Sequence, residues 1–155
     1  MKIVITPKVT KLIYQQVEKY KPFETKGALF ARKITDELYE IEEVYLEKKV
    51  GSITFVKLYN NKKYQNFQEK YHEKHQHDYV NHNYIGDWHS HPLFLCFPSS
   101  FDISEVELDL RNSNAKFLIQ VIVKVENHQL IGNAFLYDFE NSAMKVDLEI
   151  QNWDI

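Results

Sequence analysis

The residues best suited to chemistry fall in one stretch, from Gly86 to Asp102. His89 and His91 are one residue apart; Ser99 follows after seven more residues and Asp102 after a further two. Two imidazoles and a carboxylate are a competent ligand set for a catalytic zinc, because three protein ligands leave the fourth position for water. A lone His-x-His pair is a weak signal, since more such pairs are accidental than ligating. The full spacing, with an aspartate opening a predicted helix, is a strong one. If Tyr84 to His89 is a strand, its side chains alternate, and His89 and His91 project from the same side near its end. Asp102 then needs a loop to bring it back. Leu93 to Phe101 supplies that loop, with Pro92 and Pro98 stiffening it.

The elements around this stretch can be read in order. Ile3, Val4 and Ile5 predict a short first strand. Thr6 suits an N-cap and Pro7 the first helical position. Val9, Leu12, Ile13, Val17 and Tyr20 follow helical spacing and form one apolar stripe, which ends at Lys21-Pro22. Gly27 to Ala31 is short and apolar, like a buried strand, with Glu24 at its entrance. A carboxylate in that place is most often a solvated turn residue. Leu38 to Leu46 predicts a second strand with partial alternation, and Glu47 to Gly51 a loop.

Tyr64, Phe67, Tyr71 and Tyr79 suggest an amphipathic helix over about residues 60 to 80. His72, His75, His77 and His82 lie on or after its polar face. They could form a second metal site, but a solvated polar face is the reading their scattered surroundings favour. Asp102 to Leu110 predicts a helix with Ile103, Val106 and Leu110 on one face and Glu105 and Asp109 on the other. Ser99 and Ser100 precede it, where a hydroxyl caps unpaired N–H groups, so Ser99 reads as a cap. Phe117 to Val125, Leu130 to Tyr137 and Ala143 to Ile150 complete the strands. The fold class expected is α/β in the α+β sense: a mixed, mostly antiparallel sheet flanked by two or three helices. Residues 1–155 are expected to form a single domain.

Composition narrows the function. A hydrophobic share of 44% and a charged share of 26% are ordinary for a globular chain, and the 14% aromatic share predicts a core rich in Tyr and Phe. The net charge of −3 argues against nucleic-acid binding by the whole surface. With one cysteine no intrachain disulfide can form, which points to a reducing, cytoplasmic location. The apolar run at the N-terminus is too short for a signal peptide, and no stretch approaches a membrane span of about 20 apolar residues.

Together these motifs resemble the JAMM family of zinc isopeptidases, also called MPN+ or JAB. Its pattern is a glutamate, a long gap, His-Ser/Thr-His, seven residues, Ser, two residues and Asp. Glu24, His89-Ser90-His91, Ser99 and Asp102 match it. Tyr84-Ile85-Gly86-Asp87-Trp88 is similar to the strand before the histidines in bacterial members, and Phe23-Glu24 before Gly27-Ala28-Leu29 to the family's glutamate strand. Two positions depart from the common Glu-x-Gly-Gly-x-Leu-x-Gly: Lys26 replaces the first glycine and Ala31 the last. Neither supplies a ligand or a proton-transfer group. Cys96 lies where eukaryotic relatives often carry a cysteine that is not a ligand, and it reads as a packing residue.

The resemblance implies a cytidine-deaminase-like JAB/MPN architecture and one Zn2+ with a bound water, held by His89, His91 and Asp102. It raises Glu24 from turn residue to catalytic base and Ser99 from cap to active-site serine. Zinc would bring the pKa of the water towards ~7. Glu24 would take its proton and pass it to the departing lysine amine, whose free pKa is ~10.4. The Ser99 hydroxyl would support the oxyanion. The implied substrate is the bond after the C-terminal glycine of a ubiquitin-like protein or its conjugates, with E1- and E2-like partners encoded nearby, no nucleic acid and no membrane. Small bacterial members of this kind act in antiphage defence, the favoured setting, or process sulfur-carrier proteins. A non-catalytic MPN scaffold, a RadC-like nucleic-acid role and a phage-tail or wall peptidase are the alternatives.

Overall fold

The computed structural model describes residues 1–47 and 61–153. Most of the predicted Glu47–Gly51 loop and the start of the predicted 60–80 helix lie outside the described residues. The chain runs β1 (Lys2–Ile5), α1 (Pro7–Tyr20), β2 (Lys26–Thr35), β3 (Leu38–Glu47), α2 (Lys62–Lys74), β4 (His82–Ser90), α3 (Ser100–Arg111), β5 (Phe117–Glu126), β6 (Gln129–Asp138) and β7 (Met144–Ile150). The strand order is β1-β3-β2-β4-β5-β6-β7, closed into a barrel because β1 pairs in parallel with both β3 and β7. The β4–β5 pairing is also parallel and the other four are antiparallel. This is the mixed, mostly antiparallel α+β class predicted, with closure added. Among the described residues no helix is long and apolar enough to cross a membrane.

The continuous apolar runs of β2 and β5 have a simple cause: both faces of each strand are covered. Leu29 and Ala31 of β2 join the barrel core, together with Ile3, Ile5, Ile41 and the α1 residues Val9, Ile13 and Val17. Ala28 and Phe30 face the other way and pack with Tyr45 against Tyr64 and Tyr71 of α2. In β5, Ile119, Val121 and Val123 point into the core, while Leu118 and Ile122 pack against Val106 and Leu110 of α3. The three helices are therefore attached by apolar faces read from the sequence, and burial of this kind contributes roughly 25 cal/mol per Å2.

Three local features differ from the sequence reading. Thr6 occupies the N-cap of α1, yet its hydroxyl makes no cap bond and donates instead to the Ile41 carbonyl at 3.1 Å. The helix starts well regardless, with Pro7 in its first turn. Tyr79 lies beyond α2, which stops at Lys74. Asp109, expected on the polar face of α3, is buried, close enough to the Tyr84 phenol to act on it electrostatically.

Candidate metal centre

Strand β4 delivers both histidines, and a bulge decides which way they point. Leu29 pairs with Gly86 but Phe30 pairs with Tyr84, so Ile85 is the extra residue. Ile85 and Trp88, three apart, both enter the barrel core. Strict alternation from Ile85 would have sent His89 there too. Instead Trp88 is fully buried, its Nε1 donating to the Tyr45 carbonyl, and His89 emerges on the opposite face. Gly86 makes the bulge feasible. Its φ is +151°, and a Cβ there would sit 1.7 Å from the Ile119 carbonyl oxygen.

The strand end is tied on both sides. The Ser90 N–H donates to the Thr25 carbonyl and the His91 N–H to the Val123 carbonyl, each at 2.9 Å. Ser90, the middle residue of His-Ser-His, is fully buried and accepts the Thr25 N–H on its Oγ at 2.9 Å. Gln16 of α1 completes this anchor by donating to the Thr25 hydroxyl at 2.9 Å and to the Glu47 carbonyl at 2.8 Å. Ser90, Thr25 and Gln16 thus fix the segment carrying Glu24 beside the histidines. The sequence reading missed this. The only signal for it was a serine whose strand parity turns it away from the ligands.

His89 Nε2 and His91 Nε2 lie 3.0 Å apart, and each is 3.3 Å from Asp102 Oδ2. A tetrahedral zinc with bonds of 2.0–2.2 Å separates its ligand atoms by about 3.3 Å. The three donors therefore already stand at nearly the spacing such an ion needs, and the two imidazoles are buried. His91 Nδ1 is 2.9 Å from the Leu95 carbonyl. A carbonyl only accepts, so Nδ1 carries a proton; Nε2, which donates to Asp102 Oδ2 while protonated, presents its lone pair to a metal once that proton leaves. Burial alone would raise the Asp102 carboxyl, but hydrogen bonds from His89, His91 and the Ser99 N–H outweigh it and hold the group well below the usual carboxylate range. The Asp102 hydrogen bond in turn raises His91, against the effect of burial. The residues fit a zinc ion.

Glu24 stands at the mouth of this cluster. Its Oε1 is 4.0 Å from His91 Nε2 and its side chain is 53% exposed, so it can meet solvent and substrate without joining the three ligands. Ser99 is the N-cap of α3, and its Oγ accepts the Asp102 N–H at 3.1 Å. Both readings of Ser99 are thus compatible, because the hydroxyl acts here as an acceptor and its proton can serve a substrate oxygen.

Cys96 is buried with Val106, Leu110 and Phe135, and burial pushes its thiol up, as suits a packing residue. The Asn133 amide donates to the Cys96 carbonyl at 3.0 Å and holds the intervening loop. On that loop Leu93, Phe94 and Leu95 are each at least 66% exposed. Of the four histidines near α2, His72 packs against Tyr71 and Tyr79, and His77 pairs with the Tyr79 hydroxyl. His75 and His82 converge on Glu42.

Fold and site define a mixed-sheet domain with a buried His-His-Asp centre at the end of a central strand. The family described as prokaryotic homologs of the JAB domain matches residues 6–136, and the chain belongs to it. Two solved structures are similar in fold. One is the solution structure of protein DSY2949 from Desulfitobacterium hafniense, at 19% identity and a TM-score of 0.64, covering 97% of this chain and 93% of that one. The other is the crystal structure of AF2198, a JAB1/MPN domain protein from Archaeoglobus fulgidus, at 20% identity and a TM-score of 0.51, covering 97% and 98%. No curated protein sequence matches. The JAB/MPN family includes zinc isopeptidases.

Proposed function

We propose that this chain is a zinc-dependent isopeptidase or peptidase that hydrolyses the bond after the C-terminal glycine of a ubiquitin-like protein or its conjugates. Reversal of conjugation in a bacterial antiphage system, in the cytoplasm and alongside E1- and E2-like partners, is the setting we favour. The observation that carries the reading is the separation of roles at the centre. Three donors stand at zinc spacing, and a second carboxylate, Glu24, lies beside them and half-exposed. A scaffold needs no such second acid.

When bound, zinc supplies Lewis acidity and a water acidified towards pKa ~7. The chain's residues do the rest. Glu24 takes the proton from the attacking water and returns it to the departing amine, which leaves poorly unless protonated. The Ser99 hydroxyl donates to the oxygen on which charge develops. His91 is held in its ligating tautomer by the Leu95 carbonyl.

Two features favour a polypeptide substrate. Leu93, Phe94 and Leu95 form an exposed apolar rim on the loop that follows His91. Closure of the barrel removes most of the sheet edge along which an extended tail could pair. Among the described residues, however, β6 pairs with β7 only over Ala134–Leu136, which leaves Gln129–Asn133 open on that side. Asn133 bonds to the loop between the ligands, so this open segment leads towards the centre.

The test treats native-host extract with the zinc-loaded protein and with Glu24→Ala, and uses mass spectrometry to find new glycine C-termini and freed lysines. Cleavage by the first and none by the second is expected. Equal peptide patterns from the two, with zinc bound in both, would overturn the reading.

A further inference from the structure

Glu42, His75 and His82 come from three separate elements and meet on the face of the barrel opposite its core. Glu42 sits at a second bulge: Phe30 pairs with Glu43 but Ala31 pairs with Ile41, so Glu42 is the extra residue of β3. A bulge re-aims the side chain it carries. His75 caps the C-terminus of α2, and the chain then turns through Gln76 and His77, both at positive φ. The turn closes where the His82 N–H donates to the Asp78 carbonyl at 2.9 Å, setting His82 at the start of β4.

His75 Nε2 is 3.0 Å and His82 Nδ1 2.7 Å from the same oxygen, Glu42 Oε1. One donor atom of each residue lies within 4.8 Å of the other two, as at the His89 centre. All three side chains are 17–18% exposed, shielded yet within reach of solvent. His75 Nε2 is sealed from solvent and makes no hydrogen bond, although it stands 3.0 Å from a carboxylate oxygen. His82 Nδ1 and the Tyr71 hydroxyl hydrogen-bond to Glu42 Oε1, but His75 Nε2 beside them is left unsatisfied, and a cation between the three would satisfy it.

The nearby cations turn to the neighbouring carboxylate. The nearby lysines, Lys8 and Lys74, pair with Glu43 at 3.0 and 3.2 Å. The Tyr71 hydroxyl lies 2.9 Å from Glu42 Oε1 and orients it, as an outer partner orients a metal ligand. Two imidazoles and one carboxylate suit zinc, with water in the fourth position.

We propose that Glu42, His75 and His82 bind a second zinc ion, which clips the end of α2 to β3 and β4. The rings of His75 and His82 stack at 3.7 Å and 10° in the structure. One ion cannot lie in the planes of two stacked rings, so binding turns one ring about its Cβ–Cγ bond. That movement gives the site its own signature in the histidine ring NMR signals.

The experiment measures zinc stoichiometry by elemental analysis after gel filtration, with Co2+ as a spectroscopic probe. Wild type should bind two equivalents, and His75→Ala and His82→Gln one each while remaining folded by circular dichroism. The ring signals of His75 and His82 should shift with the second equivalent. One equivalent in wild type that persists in His75→Ala, or two equivalents in either variant, would overturn the proposal. If those variants fail to fold, a protein carrying His89→Ala and His91→Ala decides the matter: it should retain one equivalent, and retention of none refutes the second site. Because this readout is metal content and not cleavage, it stands or falls apart from the isopeptidase reading.

Discussion

Ser99 and Asp102 hold each other by two reciprocal hydrogen bonds: the Ser99 N–H donates to Asp102 Oδ2 at 2.9 Å, and the Asp102 N–H donates to Ser99 Oγ at 3.1 Å. This is a capping box, and its carboxylate oxygen is also the one aimed at His89 and His91. The start of α3 thus aims a candidate ligand as well as ending a loop. Ser99→Ala removes the cap bond and the hydroxyl together. Helix stability should fall by about 1 kcal/mol, and kcat by roughly 100-fold if the hydroxyl supports the oxyanion. Zinc content should stay at the wild-type level. Thermal unfolding, metal analysis and steady-state kinetics separate the three effects; unchanged kcat would leave Ser99 a cap only.

Asp102→Asn divides capping from ligation. The amide oxygen can still accept the Ser99 N–H, so α3 should keep its helix content. The negative charge facing His89 and His91 is gone, and the affinity for zinc should drop by more than about 100-fold, beyond the 10- to 100-fold typical of losing an outer-sphere partner. Competition with a chromophoric chelator measures it. Unaltered affinity would remove Asp102 from the ligand set.

Much of the architecture was legible because its signals are local. The apolar stripe of α1, the two-sided runs of β2 and β5, and the alternation in β7 each declare an element without reference to its partners. The His89, His91 and Asp102 centre was legible for the same reason, lying within one short stretch. Barrel closure was not, because nothing in Ile3–Ile5 states that both β3 and β7 will pair with it. Nor was the meeting of Glu42 with His75 and His82, since Glu42 reaches it from a bulge in a strand more than thirty residues earlier. Alternation alone also misplaces His89 relative to Ile85, an error only the bulge corrects.

That bulge gives a prediction of its own. Gly86→Ala places a methyl 1.7 Å from the Ile119 carbonyl oxygen, at a φ of +151° that other residues rarely adopt. Backbone strain and forced separation of β4 from β5 should together cost about 3 kcal/mol or more. Urea denaturation of the zinc-free protein reads the loss, and weaker zinc binding should accompany it as the histidine strand shifts. A variant as stable as wild type would mean that the bulge relaxes at no cost.

Asp87 provides the test by pH. It lies one turn of the pleat before His89, and burial pushes its carboxyl up to about 7, with the Tyr84 hydroxyl at 3.0 Å only partly offsetting that. A carboxyl whose folded pKa exceeds its unfolded value favours folding in its protonated form. This stabilisation is complete below the unfolded value near 3.8 and is lost as pH rises through about 7. The protein should therefore unfold at lower urea at pH 8 than at pH 5.5, against the trend set by low-pKa carboxylates such as Glu43, which Lys8 and Lys74 hold down despite its burial. Asp87→Asn keeps an acceptor for the Tyr84 hydroxyl and removes the titration. It should raise stability more at pH 8 than at pH 5.5, by roughly 2 kcal/mol, because about 1.5 units of the titration lie between pH 5.5 and the folded value of about 7, at 1.36 kcal/mol each. Equal gains at both values would assign the effect to packing; a loss at pH 8 would show that the ionised carboxylate is satisfied in the fold.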